Sequence, residues 1–203
     1  MQVRKATDAD VTALSQSLAR AFYDDPVISW MIPDDAKRLR LGPFGFETWL
    51  GKIYMPKAEV YTDETRKVGA LWAPPGKWRM SVGLQARLAP RMFRLFGVRR
   101  MPTILKGLAT LDKAHPDAQP HYYLGILGTD PDHQGKGLGG AAMQPVLDRC
   151  DTDDSGKLKG PSVIARYQTR VFASPPTFAP VAATARHNDQ KTPRITNTKR
   201  MRE

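Results

Sequence analysis

Gly125-Ile126-Leu127-Gly128-Thr129-Asp130-Pro131-Asp132-His133-Gln134-Gly135-Lys136-Gly137-Leu138-Gly139-Gly140 is the stretch whose reading decides the fold. An apolar run of strand formers begins at His121 and stops at Thr129, and a polar segment with a proline follows. Gly135, Gly137, Gly139 and Gly140 then crowd into a few residues, and Leu138 to Met143 reads as the start of a helix. Strand, glycine-rich turn and helix together make an anion site. Glycines let successive backbone N–H groups point into one concavity with no Cβ in the way, and the open helix start adds unpaired donors and partial positive charge. The expected guest is a phosphate or pyrophosphate.

Three kinds of phosphate loop contain such glycines, and spacing separates them. Gly135-Lys136-Gly137-Leu138-Gly139-Gly140 satisfies G-x-G-x-x-G, but a dinucleotide fold places that pattern after its first strand, with an acidic residue about 20 positions on at the end of a second strand. Here about two-thirds of the chain precedes the loop, and no strand with a terminal acid follows. A nucleoside triphosphate loop needs Ser or Thr directly after Gly-Lys to hold magnesium. Gly137 stands there instead.

The third pattern is Gln/Arg-x-x-Gly-x-Gly/Ala, met by Gln134, Gly137 and Gly139 after a strand and Asp130-Pro131. It resembles the acetyl-CoA pyrophosphate loop of the GNAT family of N-acetyltransferases. The wording Pro131 to Gly139, with Pro145 in the following helix, is most similar to the puromycin N-acetyltransferase-like branch. The resemblance implies an α/β (α+β) fold, a mixed central sheet flanked by helices, over residues 1–151. It also implies acetyl-CoA as co-substrate, with no metal. By the same resemblance, Leu127, Gly128 and Thr129 bond the pantetheine arm, and Gln134, Gly135, Lys136, Gly137, Leu138, Gly139 and Gly140 hold the pyrophosphate.

Composition narrows the class further. A single cysteine, Cys150, excludes a disulfide framework and Cys-type metal sites. No run of about 18 apolar residues is present, and Met1 to Lys5 leads into polar sequence, so a soluble cytoplasmic protein is expected, with no membrane partner. The formal net charge of +11 would ordinarily suggest nucleic acid. From Ser155 onward, however, ten Lys/Arg face two acidic residues, so most of the excess sits in the tail. That tail lacks interleaved aromatics and any binding motif, which makes a nucleic-acid partner unlikely; a monomer or homodimer is expected.

Val3 to Ala6 is a short strand candidate, and Thr7-Asp8-Ala9-Asp10 has the shape of a capping box. Val11, Leu14, Leu18, Ala21 and Phe22 recur at helical spacing until Asp24-Asp25-Pro26 stops the helix. The connection after it holds Asp24, Asp25 and Trp30; by the resemblance this region helps form the acceptor pocket, where carboxylates beside an aromatic suit a cationic amine. An ordinary helix stop is the alternative reading of Asp-Asp-Pro. Phe44, Phe46, Trp49, Leu50, Ile53 and Tyr54 make a packing face, with Gly42-Pro43 as a break or entry. Glu59 to Thr62 and Lys67 to Ala73 form a hairpin across a polar turn. From Lys77 to Arg100 the chain is helix-like and basic, with Arg87, Arg91 and Arg94 on one face, either solvated or meeting phosphates. Thr103 to Lys113 continues the amphipathic pattern to His115-Pro116-Asp117, and a helix over residues 137–150 carries Pro145, which predicts a kink.

The resemblance stops at about Asp151. Family members continue with a strand, a helix carrying Asn and Tyr, and strands around an Arg-His-Gly-Phe-like turn; the Tyr protonates the departing thiolate. Residues 152–203 instead form a divergent basic tail of disorder-prone composition, with Val163 to Tyr167 as its strand candidate. Read one base forward, the codons for Gln168 to Phe172 can spell Arg-His-Gly-Phe, so a shifted frame is one account of this tail and a genuine extension the other.

Direct acetyl transfer to the primary amine of a small molecule needs a polarised thioester, a neutral amine and a proton for the thiolate. Backbone N–H groups near Leu127 to Thr129 serve the first need. Glu59, His121 or a water relay are the candidate bases, and Tyr167 is the candidate acid. The alternative is an acetyl-CoA-binding protein that kept the loop and lost turnover.

Overall fold

The computed structural model describes residues 2–57, 59–113, 121–152 and 162–165. Among these residues, five strands form one sheet in the order β1 (Val3–Lys5), β2 (Val60–Asp63), β3 (Val68–Ala73), β4 (His121–Thr129) and β5 (Ser162–Ala165). The first four pair antiparallel, and β5 adds in parallel to β4. This is the mixed, helix-flanked sheet expected from the sequence. Its helices are α1 (Val11–Ala21), α2 (Pro26–Met31), α3 (Asp35–Trp49), α4 (Val82–Phe96), α5 (Met101–Lys113) and α6 (Leu138–Thr152).

Each face of the sheet buries its own apolar set. On one face α6 lays Leu138, Ala142 and Val146 on Tyr61, Val68, Ala70, Trp72 and Leu124. On the other, Leu14 and Leu18 of α1 and Phe46 of α3 pack on Val60 and Leu71, together with Leu50. A third cluster, including Met31, Leu41, Leu95 and Ile104, joins α2 to α5. With both faces covered, β2 and β3 are buried along their whole length; β3 reads as a continuous apolar run, whereas β2 buries the polar Thr62 and Asp63 at its turn end.

Local signals account for most element ends. Asp63 accepts from the N–H groups of Thr65, Lys67 and Val68 at 3.1, 2.7 and 3.2 Å, which fixes the hairpin turn, and Arg66 takes φ +58° within it. Asp34 Oδ1 accepts from Lys37 N–H at 2.6 Å to start α3. Ser81 starts α4 and Gly97, at φ +80°, ends it, so that helix is shorter than the basic stretch Lys77 to Arg100 suggests.

Two further expectations are corrected. Gly42-Pro43 does not interrupt α3, which runs through both. A Cβ on Gly42 would stand 3.4 Å from Ala19 Cβ, so the glycine serves the close approach of α1 and α3, and tertiary packing overrides its breaking tendency. The connection after α1 contains the short helix α2, nucleated by Asp25 with Pro26 at its first position. Pro145 lies inside α6, which nonetheless continues to Thr152. His115-Pro116-Asp117 and Tyr167 lie outside the described residues.

The capping box at Thr7 is present, and Asp10 does more than close it. Its buried carboxylate accepts from Thr7 N–H at 2.8 Å, from Arg4 at 2.7 and 2.9 Å, and from Arg66 Nε at 2.8 Å, tying β1, α1 and the hairpin turn together. The Arg4 guanidinium foremost holds this carboxyl far below its ordinary 3.8 against the opposing effect of burial. A carboxyl lowered on folding contributes stability above its unfolded value and loses it as pH falls. Asp10→Asn is therefore expected to cost about 1–2 kcal/mol at neutral pH, after allowance for the partly exposed arginines. The difference from wild type, read by urea unfolding at pH 7, 4 and 2.5, should shrink only below about pH 4.

Candidate active site

Strand β4 gives the site its shape, because its two edges are not treated alike. Its β3 edge is paired from Tyr123 to Thr129, whereas β5 pairs it only from His121 to Leu124. Between Leu71 and Trp72 the register to β3 jumps from Ile126 to Leu124, leaving Gly125 as an extra, bulged residue. Beyond it, no described strand pairs Gly125–Thr129 on the β5 side. Asp130 N–H donates to Lys67 O at 2.8 Å on the β3 side. Backbone groups alternate in direction along an antiparallel strand, so those of Thr129 and Leu127 point to the unpaired side.

The glycine loop follows directly. Asp130 Oδ1 accepts from Asp132 N–H at 3.2 Å and Asp130 O from His133 N–H at 2.8 Å, making a single tight turn over Pro131–His133. Gln134 Nε2 folds back to Thr129 O at 3.1 Å, and Lys136 Nζ reaches Asp132 O at 3.4 Å. Gly135 and Gly137 both take φ +76°, where a side chain is strained although nothing lies within 4 Å of either Cβ position. Those open positions leave a cradle above the backbone. Ala141 N–H bonds to Gly137 O at 3.1 Å, so the N–H groups of Leu138, Gly139 and Gly140 precede the first intrahelical bond of the 15-residue α6.

A buried ion cluster pins the loop to the rest of the fold. Asp130, 1 % exposed, faces Arg20 of α1 at 3.2 Å and Lys67 of the hairpin turn at 3.4 Å, while Arg20 also holds Asp132 at 2.8 Å. Burial pushes the Asp130 carboxyl up, but the Asp132 N–H, Lys67 and Arg20 together outweigh it and keep it below its ordinary range. Sequence reasoning missed all three partners. Asp130 before Pro131 carries a legible capping signal, but Arg20 and Lys67 are remote in the chain and have none.

The acceptor-side candidates are dispersed. Asp25 caps α2, accepting from Val27 and Ile28 N–H at 2.9 and 3.0 Å, and burial pushes its carboxyl up against those two bonds. Asp24 is exposed beside it. The Trp30 ring presses on α5, where a Cβ on Gly107 would meet it at 2.6 Å. His121 is buried at the end of β4 farthest from the loop. Glu59 is gripped by Arg149 of α6 at 2.9 and 2.5 Å and joined by the Tyr61 hydroxyl at 3.2 Å. Burial opposes ionisation of Glu59, yet the Arg149 pair keeps its carboxyl lowered, which leaves it little basicity. It clasps the hairpin to α6. Arg91 and Arg94 lie over the Phe44 ring at 5.3 and 4.5 Å, while Arg87 is exposed.

Residues 59–158 match the model of the Acetyltransferase (GNAT) family. The fold is similar to a crystal structure described as histone acetyltransferase HPA2 and related acetyltransferase from Corynebacterium glutamicum, with 24% identity, a TM-score of 0.55, and coverage of 81% of this chain and 75% of that one. An agmatine N-acetyltransferase variant in its apo form is more distant, at 19% identity and a TM-score of 0.47 over 81% of this chain and 74% of that one. Residues 59–158 are thus similar to a GNAT acetyltransferase domain, and the fold is shared with that acetyltransferase structure. Among the described residues, no helix is long and apolar enough to cross a membrane, and no group of three or more His, Cys, Asp or Glu is placed to hold a metal.

Two glycines on β4 and α6 separate room from conformation. A Cβ on Gly128 would meet Phe22 at 2.6 Å and Leu18 at 3.0 Å, whereas one on Gly140 would meet nothing within 4 Å. Gly128→Ala is expected to lower stability by about 1–3 kcal/mol through overpacking. Gly140→Ala should be neutral or raise stability by up to about 1 kcal/mol. Thermal and urea unfolding of the two variants distinguish these outcomes.

Proposed function

We propose that this chain transfers acetyl directly from acetyl-CoA to the primary amine of a small molecule. The observation that carries the reading is the junction of an unpaired β4 edge, two left-handed glycines and a free helix start. These features suit one extended ligand with an amide-bearing arm and an anionic end. The residues fit acetyl-CoA: Leu127 to Thr129 offer backbone partners for pantetheine, and Gln134 to Gly140 offer N–H groups for the pyrophosphate. Bound there, acetyl-CoA supplies the acetyl group as an activated thioester.

Transfer breaks the carbon–sulfur bond, forms a carbon–nitrogen bond and moves one proton from nitrogen to sulfur. The chain's own part is to orient and polarise. The backbone N–H groups on the free edge of β4 polarise a carbonyl placed beside them at no cost of reorganisation. The acceptor enters from the side of the α1–α2 connection, where Phe22 lies over Gly128 and Asp24 is exposed to meet an ammonium group. Deprotonation through water suits this site better than Glu59, whose carboxylate is committed to Arg149. The wording Pro131 to Gly139 supports a place in the puromycin N-acetyltransferase-like branch.

A second reading, donor binding without turnover, is favoured by one observation. Of the side chains expected to handle protons, Glu59 is held in an ion pair and His121 sits at the far end of β4.

Titration calorimetry with acetyl-CoA tests the site, and thiol release across a panel of primary amines tests transfer. Wild type should bind and release thiol, whereas Gly137→Val, strained at φ +76° and intruding on the cradle, should weaken binding about tenfold or more. Folded wild-type protein that fails to bind acetyl-CoA sinks the proposal. Binding without thiol release on any amine selects the second reading.

A further inference from the structure

Tyr54 closes a π-type turn, Leu50–Tyr54, that extends α3 toward the sheet. Periodicity assigns it to core packing, and its ring does lie against the cluster of Leu14, Leu18, Phe46 and Leu71. Its hydroxyl goes further. A Cβ on Gly125 would stand 1.9 Å from Tyr54 Oη and 2.8 Å from Cζ, so the phenol occupies the space that any side chain at Gly125 would need. Gly125 is the bulged residue, and Leu124↔Ala165 is the last β4–β5 pair before it. The phenol oxygen is thus delivered to the point where β4 leaves β5.

A tyrosine used only for packing gains nothing from its hydroxyl and usually finds the O–H a partner. Here the O–H lies against the Gly125 backbone, within electrostatic reach of the Tyr123 phenol. Lys57 Nζ lies 4.9 Å from the ring centroid and covers the ring face.

We propose that Tyr54 is a catalytic hydrogen-bond donor whose phenol O–H reaches the thioester carbonyl oxygen of the acyl donor beside Gly125. This rests on the reading that acetyl-CoA runs along Leu127 to Thr129. At a strand rise of about 3.3 Å per residue, Gly125 lies roughly 7 Å beyond Leu127, the span of the short arm joining the last pantetheine amide to the thioester. Burial pushes the Tyr54 phenol well above its ordinary value, so it remains protonated and a donor across the working pH range. It keeps its own proton throughout. The proton lost by the amine still ends on sulfur, and the phenol only lowers the energy of the negative charge that gathers on the carbonyl oxygen.

Tyr54→Phe removes one oxygen and keeps the ring. Binding of acetyl-CoA labelled with carbon-13 at the thioester carbonyl is read by calorimetry and by the infrared carbonyl stretch. In wild type the bound stretch should fall below that of free acetyl-CoA. In Tyr54→Phe it should move back toward the free value, with affinity changed less than about threefold and melting temperature preserved. Thiol release should fall about tenfold or more, as for loss of one oxyanion donor. An unchanged stretch in a variant that binds normally overturns the role of Tyr54 alone. Failure of folded wild type to bind acetyl-CoA overturns the donor reading and this proposal with it.

Discussion

The backbone of β4 is the constraint on which the site depends. Every N–H and C=O of a buried strand must find a partner, and β4 meets that demand differently along its length. Tyr123 and Leu124 are paired on both edges, His121 and Tyr122 on the β5 edge, and from Gly125 to Thr129 the described strands pair it on the β3 edge only, with Gln134 Nε2 reaching Thr129 O from the loop. The bulge at Gly125 marks the change. An interior strand with one free edge is costly in a globular protein unless a ligand or solvent completes it, and in this fold the free edge runs into a loop with two left-handed glycines and the unbonded N–H groups of a helix start.

Holding that arrangement in place falls to buried carboxylates rather than to the loop itself. Asp10 ties β1 and α1 to the hairpin turn, Asp63 shapes the turn from within, and Asp130 ties the end of β4 to both α1 and that turn. Glu59 does the corresponding work at the other end of α6 through Arg149. Each carboxylate is taken out of water only where several N–H groups or guanidinium groups repay its desolvation. Arg66 and Lys67, adjacent in one turn, serve two different carboxylates, so the hairpin turn couples the N-terminal elements to the phosphate loop.

What could be read from sequence follows from how local each signal is. The capping box at Thr7, the hairpin, β4 and the loop with its helix are carried by contiguous residues, and all stand where periodicity and turn chemistry place them. Val163 to Ala165 likewise lies in β5. Misreadings arose where one residue type serves two purposes. Gly42 looks like a helix breaker, yet it is present because α1 passes close by. Glu59 looks like a base, yet Arg149, ninety residues away, commits it to an ion pair. Tyr54, by contrast, packs against the core as its spacing predicts, and the position of Gly125 adds where its hydroxyl ends. Partners remote in sequence leave no local trace, which is why Arg20 and Lys67 were invisible.

Gly125 and Gly128 also explain how the two sides of the sheet communicate. Each lacks a side chain on the α1–α3 face, and each vacancy is filled from that face, by Tyr54 at Gly125 and by Phe22 and Leu18 at Gly128. The backbone of β4 is thereby in direct contact with side chains from the N-terminal helical elements. Phe22 ends α1 just before Asp24 and Asp25, so one aromatic ring links that connection to β4 by direct contact. Cores as tightly packed as this transmit such displacements rather than absorb them. The glycines of β4 thus do a different task from those of the loop: Gly135 and Gly137 supply backbone conformation, whereas Gly125 and Gly128 supply contact between β4 and the side chains of Tyr54, Phe22 and Leu18.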